Sequence, residues 1–441
     1  MTFKLFPAIC IIMLMLAGCT SKTEKQARDA FLYGYPLVMT EETRQSSAYP
    51  SNTLQHLRSF PDHSFRNVVR PNVDTLYSIA WLDLKDEAVV LTLPESKGRY
   101  VLMPVLDAWT NVFASIGSRT TGSNAGAYLI AGPSWSGDVP KGMKVYRSPT
   151  AMAWMVGRIY AQGPADFEGA HAFQDGMTLR TFSDFQSGKP AITPPDRPIT
   201  SMDIKQRIAD MDGQVFFEKL ETLMQDNPPA KDDDAFMETV LKPLKRSNPS
   251  PATLNTGKNK AYKRLGFIQN LISREKGWMG NDPSKPIGAY GIDYRLRAVI
   301  AHIGFGANEP VDAIYPNTSK DVNGKALHSS KNYIVHFDAD ELPPVKAFWS
   351  LTVYDEEGFL IENKISRYAL GTANDLTRNE DGSLDIYVQH QPPSKDKLSH
   401  WLPAPEAAPF ALTLRLYWPE TEALSGKWNT PNILPNTQNK N

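Results

Sequence analysis

The chain has 441 residues, of which 41% are hydrophobic and 22% charged, a globular rather than disordered composition. Its 47 basic and 48 acidic side chains nearly cancel, which excludes the basic footprint of a nucleic-acid binder. There are two cysteines, Cys10 and Cys19, both in the first twenty residues, so the body of the chain can carry no disulfide, thiolate nucleophile or Cys-ligated zinc.

Lys4 precedes an apolar run from Leu5 to Leu16 that falls well short of the ~20 residues a bilayer span needs. Small residues follow, as at the cleavage site of a secretory signal. Leu16-Ala17-Gly18-Cys19 resembles a bacterial lipoprotein box. The resemblance implies removal of residues 1–18 and a diacylglycerol on Cys19, the only membrane anchor expected. Thr20 in place of an aspartate points to the periplasmic face of the outer membrane rather than the inner membrane.

Residues 19–62 read as the lipidated tether and a first helix. Ala27, Ala30, Phe31, Gly34 and Val38 recur at helical spacing, with Pro36 expected to end or kink the helix near Tyr35. From 63 to 168 the period becomes two and turns are frequent. Strands are expected at 77–82, 89–93, 100–116, 128–131 and 152–159, which together make a β-sandwich. Residues 169–303 read as a Pro-rich linker and a helical segment. Its helices are marked by Ile204 to Leu223 (interrupted at Gly213), by Asp232-Asp233-Asp234 as an N-terminal cap, by Ala261 to Ile272, and by Tyr294 to Ile303. Residues 304–423 return to period two, most cleanly in Phe410 to Trp418, and suggest a jelly-roll-like β-sandwich. Residues 424–441 read as a flexible tail. The fold class is therefore mainly β with a helical insert.

Catalytic signatures are mostly missing. No G-x-S-x-G elbow, Walker loop, H-E-x-x-H or histidine pair occurs. Asp375, Glu380, Asp381 and Asp385 fit a hairpin better than a calcium loop. No cofactor and no metal are expected, and catalytic residues cannot be assigned. What remains is a set of polar residues among apolar ones. Arg70, Asn72, Asp74 and Tyr77 open a strand. Asp107, Trp109 and Asn111 alternate as though on one strand face, with Arg119 as the nearest cationic partner. A carboxylate on an apolar face must be paired or face a cleft, so these eight residues form one candidate pocket, with Asp74 or Asp107 as its acid or base. A second candidate cluster is Tyr290, Asp293, Arg297, Tyr354 and Arg367; Asp293 can cap a helix and pair with Arg297 four residues on.

Several longer motifs resemble one family. Tyr33-Gly34-Tyr35-Pro36, Arg70-Pro71-Asn72-Val73-Asp74-Thr75-Leu76-Tyr77, Asp107-Ala108-Trp109-Thr110-Asn111 and Gly117-Ser118-Arg119-Thr120 resemble the domain of unknown function 1254. Tyr290-Gly291-Ile292-Asp293-Tyr294-Arg295, Ala347-Phe348-Trp349-Ser350-Leu351-Thr352-Val353-Tyr354-Asp355 and Leu414-Arg415-Leu416-Tyr417-Trp418-Pro419 resemble its partner, domain 1214. The resemblance implies two β-sandwiches with helices between them, and no established activity. The expectation is an envelope lipoprotein that binds a small polar ligand, carbohydrate first, or acts as a scaffold; the alternative is a carboxylate-dependent hydrolase of a polar substrate. Homo-oligomerisation stays open.

Overall fold

The computed structural model describes residues 21–66, 69–195, 203–272, 277–280 and 284–436. The apolar leader and Cys19 lie outside these residues. Among the described residues no helix is long and apolar enough to cross a membrane.

Helix α1 (Lys22–Ser46) starts at Ser21, whose hydroxyl accepts from the Glu24 amide. It runs unbroken through Pro36, against expectation. Every residue from Ala30 to Glu42 is buried, and packing on the other helices outweighs the lost backbone bond.

The first sandwich contains β1 (Gln55–His56), β2 (Thr75–Asp83), β3 (Val89–Leu93), β4 (Val101–Asp107), β5 (Val112–Gly117), β6 (Gly126–Ala131), β7 (Lys144–Arg147), β8 (Met152–Tyr160) and β9 (Thr178–Thr181). One sheet has the order β1-β2-β8-β4-β5 and the other β7-β6-β3-β9. Leu76, Met103, Met155 and Ile159 from the first meet Val89, Leu91, Ile130 and Leu179 from the second. Helices α2 (Phe167–Asp175) and α3 (Phe182–Gln186) flank β9. This strand lies beyond residue 168, inside the stretch expected to be linker and helix.

The helical unit has α4 (Ile204–Asp210), α5 (Gly213–Asp226), α6 (Asp234–Phe236), α7 (Lys242–Arg246), α8 (Pro251–Ile272) and α9 (Tyr294–Ile303), with a π-helical turn at Met237–Leu241. These helices surround α1 through Phe31, Tyr33, Tyr35, Phe216, Leu220 and Ala298. The break at Gly213 and the bounds of α9 fall where the pattern put them.

The second sandwich has β10 (Ala313–Ile314), β11 (Asn317–Thr318), β12 (Asn332–Phe337), β13 (Val345–Asp355), β14 (Ala369–Gly371), β15 (Leu384–Gln389), β16 (Trp401–Pro403), β17 (Phe410–Pro419) and β18 (Asn432–Asn436), with the short α10 (Thr421–Leu424) before the last strand. Its sheets are β10-β17-β13-β14, with β11 also on β17, and β16-β15-β12-β18. Strand β18 pairs with β12 from Asn332↔Asn436 to His336↔Asn432, so the segment read as a flexible tail contributes a strand.

One departure positions the site. Trp349, Leu351 and Val353 of β13, and Leu412, Leu414 and Leu416 of β17, enter the core of this sandwich. The alternate residues Ser350, Thr352, Tyr354, Thr413, Arg415 and Tyr417 are buried as well. Period two correctly separates the two faces, but the polar face is covered by the first sandwich rather than by water.

Candidate functional site

The seam between the sandwiches is built by the Arg70-to-Tyr77 segment lying across β13 and β17. Arg70 has a left-handed backbone (φ 53°), and its amide donates to the Gly358 carbonyl at 2.7 Å. Its guanidinium donates to Thr413 Oγ1 at 2.9 Å. Asn72 folds the next turn: its side-chain oxygen accepts from the amides of Asp74 and Thr75 at 3.0 and 2.8 Å, and its Nδ2 donates to the Tyr77 hydroxyl at 2.6 Å. Arg415 donates to Thr352 Oγ1 at 2.8 Å, to the Arg70 carbonyl at 2.9 Å and to the Tyr354 hydroxyl. The Tyr354 hydroxyl in turn donates to the Pro71 carbonyl at 2.6 Å.

Asp74 ends this turn, 8% exposed. Ser350 Oγ donates to its Oδ2 at 2.8 Å. Burial pushes its carboxyl above the usual carboxylate range, against the opposing pull of Arg415 and the Ser350 bond. Asp74 lines a cleft of about 540 Å³ between the two sandwiches. Tyr160, Phe167, Phe348 and Trp349 are among its aromatic lining, and Asp62, His63, Ser350 and Arg367 join Asp74 among its polar groups. The Tyr160 and Phe348 rings stack at 4.0 Å. Arg367 is held by the carbonyls of Leu398 and Trp401 at 2.7 and 2.9 Å. Polar groups converging on an apolar concavity are the usual form of a small-molecule site.

The eight residues of the first candidate pocket do not meet. Arg70, Asn72, Asp74 and Tyr77 lie in the seam. Asp107 ends β4, and Thr110 (φ 72°) turns the chain, so Asp107, Trp109 and Asn111 do not share a strand face. Asp107 closes its own turn: Oδ1 accepts from the amides of Trp109 and Asn111 at 2.8 and 2.9 Å, and Oδ2 from Asn111 Nδ2 at 3.0 Å. Burial pushes its carboxyl up while these bonds pull it down. Arg119 does not reach Asp107. It grips Asp312 of the second sandwich through Nε and Nη2 at 2.6 and 3.0 Å, and Ser115 adds a third bond at 2.7 Å.

The second cluster divides as well. Tyr354 and Arg367 belong to the seam. Asp293 caps α9 by accepting from the Leu296 amide at 3.0 Å, but Arg297 forms no ion pair with it. The Arg297 guanidinium lies 5.1–5.3 Å from the ring centres of Trp109, Tyr33 and Tyr294. Tyr290 is buried close by, its phenol pushed up to about 12 by burial. This aromatic enclosure joins the first sandwich to the helices. Among the described residues no group of three or more His, Cys, Asp or Glu could hold a metal ion.

Sequence reasoning missed Arg158, Tyr315, Ser350, Arg415 and Tyr417. One sign was available: Arg158 and Arg415 each interrupt an apolar strand, the pattern that singled out Asp107.

A family model described as a protein of unknown function (DUF1254) matches residues 51–181, and one described as a protein of unknown function (DUF1214) matches 312–421. The seam therefore lies between the two matched regions. Among solved structures, the VPA0106 protein from Vibrio parahaemolyticus is similar over 94% of this chain and 100% of its own, with 23% identity and a TM-score of 0.73. That likeness concerns the fold. A putative uncharacterized protein from Burkholderia cenocepacia is similar over 94% of this chain and 93% of its own at 9% identity, with a TM-score of 0.46. No curated protein matches the chain.

Proposed function

This chain belongs to the family that pairs the DUF1254 and DUF1214 domains, and from the cleft those domains enclose we infer that it binds a small polar ligand, with carbohydrate the first class to test. The observation that carries this reading is Asp74: a buried carboxylate on the cleft wall, one oxygen bonded to Ser350 and the other taking no bond from any described residue. Such an oxygen suits a ligand hydroxyl. The partly exposed Phe60, Tyr160 and Phe167 rings line the same cleft and supply the apolar surface that sugar rings require. The leader sequence supports export and anchoring through a lipid on Cys19, which mass spectrometry of the membrane fraction would test.

Hydrolysis is the second reading, favoured by one fact: burial raises the Asp74 carboxyl, as a general acid requires. Carboxylate-dependent glycoside hydrolysis uses two such groups. The other carboxylate on the cleft wall, Asp62, is exposed and bonded to Ser64, and those bonds hold it below the usual range. Binding is therefore the better-supported reading.

The test is a thermal-shift panel of glucose, galactose, N-acetylglucosamine, cellobiose, lactose and chitobiose on the wild type and on Ala373→Trp. Ala373 is an exposed residue of the cleft wall, a place where an indole can obstruct the cleft while every buried residue is kept. A sugar-dependent rise that Ala373→Trp abolishes supports the reading; no rise with any of the six, or an equal rise in the variant, overturns it. Asp74→Asn then separates the two readings: retained binding with lost release of reducing sugar identifies a hydrolase.

A further inference from the structure

Beside Asp74 the seam holds a cluster richer in donors than in acceptors. Arg158 and Arg415 are 7% and 3% exposed. Arg158 donates to the Val156 carbonyl at 2.9 Å, to Asn308 Oδ1 at 2.9 Å and to the Gly306 carbonyl at 3.4 Å. The three acceptors of Arg415 are neutral too. Two carboxylates are near. Asp312 is taken up by Arg119 and Ser115, which leaves Asp74 alone to balance two guanidiniums. Burying cationic charge without a counter-charge is costly.

The phenols add to the surplus. The Tyr77 hydroxyl accepts from Asn72, and the Tyr315 hydroxyl accepts from Asn308 Nδ2 at 2.6 Å, so each keeps its own proton to give. Tyr417 is 1% exposed, and its hydroxyl makes no bond with any described residue. Its ring centre lies 6.2 Å from that of Tyr315, Asn308 bonds both Arg158 and the Tyr315 hydroxyl, and the Arg158 guanidinium lies 5.5 Å from the Tyr77 ring centre. Three O–H donors and two guanidiniums thus converge where acceptors are short. An oxyanion offers acceptors and no donors, together with the missing charge.

We propose that Arg158, Arg415, Tyr77, Tyr315 and Tyr417 hold an oxyanion, a carboxylate or phosphate, carried by the ligand whose body occupies the neighbouring cleft. Placing the anion on that ligand rests on the cleft reading; the donor cluster itself does not. Asp74 stands at the junction, bounding the cleft and facing Arg415.

The experiment is calorimetric titration of the full chain with acetate and with phosphate in chloride of matched ionic strength, on the wild type and on Tyr417→Phe. This variant deletes one hydroxyl that has no partner among the described residues and keeps the ring stacked on Phe348 at 4.3 Å. Its unfolding midpoint in chloride, measured alongside, should match the wild type. The expected result is binding of at least one anion, weakened about tenfold in Tyr417→Phe, as for loss of one hydrogen bond to a charged group. Whichever anion binds identifies the group. No heat with either anion, or equal affinity in the two proteins, overturns the proposal. A glucuronate-against-glucose pair separates the two readings. Acetate or phosphate binding with no sugar binding removes the cleft reading and keeps the oxyanion site. Equal binding of the two sugars keeps the cleft and overturns the placing of the anion on its ligand.

Discussion

Replacing Arg415 by Met tests whether the seam is held together by its buried charge. The guanidinium donates three bonds across the seam, to Thr352, to the Arg70 carbonyl and to the Tyr354 hydroxyl. Met fills much of the same volume but leaves the Arg70 carbonyl without that donor and Asp74 without its nearest cation. Breaking a buried charged network from one side costs about 3–5 kcal/mol. The cost should depend on pH, with a definite sign. Burial already raises the Asp74 carboxyl in the native state, and Arg415 partly opposes that rise. A carboxyl held above its unfolded value of about 3.9 contributes its full stability below that value and loses it as pH rises through the folded value. Removing Arg415 lifts the folded value further, so more stability is lost on the alkaline side. Urea unfolding followed by tryptophan fluorescence should therefore show a larger penalty at pH 8 than at pH 5. A penalty below about 1 kcal/mol that is equal at both pH values would refute the charge argument.

Three further outcomes follow from the packing. His302 Nδ1 meets the Tyr35 hydroxyl at 2.9 Å, and burial, aided by the Lys205 charge, lowers its imidazole to about 4. Its contribution is present above the unfolded value and lost as pH falls from about 6.5 to 4, so His302→Gln should flatten the pH profile of stability in that window by about 2–3 kcal/mol. A Cβ on Gly34 would lie 2.5 Å from Leu220 Cδ2 in the core around α1. Gly34→Ala should therefore cost about 1–3 kcal/mol by chemical denaturation despite its better helix propensity. Arg119→Met strands the 1%-exposed Asp312 side chain and should cost about 3 kcal/mol. Asp312→Asn on that background should recover part of the loss, as a double-mutant cycle would show.

The fold was legible where periodicity and punctuation act locally. Gly213 divides α4 from α5, Asp293 starts α9, and the alternation from Phe410 to Trp418 assigns each residue of β17 to the correct face. It was illegible where tertiary contacts decide. Pro36 stays helical because α1 is enclosed by other helices. Thr178–Thr181 and Asn432–Asn436 are strands because a sheet edge receives them, and neither segment has a strong pattern of its own. The site was legible as a vocabulary of residues but not as a grouping. Asp107 and Asp74 both look like carboxylates stranded among apolar neighbours; only the three-dimensional structure shows one closing its own turn and the other lining a cleft. Proximity in the chain suggested Arg119 for Asp107, whereas the guanidinium finds Asp312 across the seam. Arg158 and Arg415 drew no attention because an arginine on an alternating strand ordinarily faces water, and here both faces are covered.

The central claim is that the cleft between the sandwiches, bounded by Asp74, is where a ligand sits. Hydrogen–deuterium exchange with and without the sugar of the panel that raises the unfolding midpoint most measures this directly. Protection should appear together in segments 59–63, 160–164, 348–350 and 365–374, which form the cleft walls, and should vanish in Ala373→Trp. Protection confined to the Trp109–Arg297 enclosure or to the outer sheets, with the cleft segments unchanged, would contradict the account.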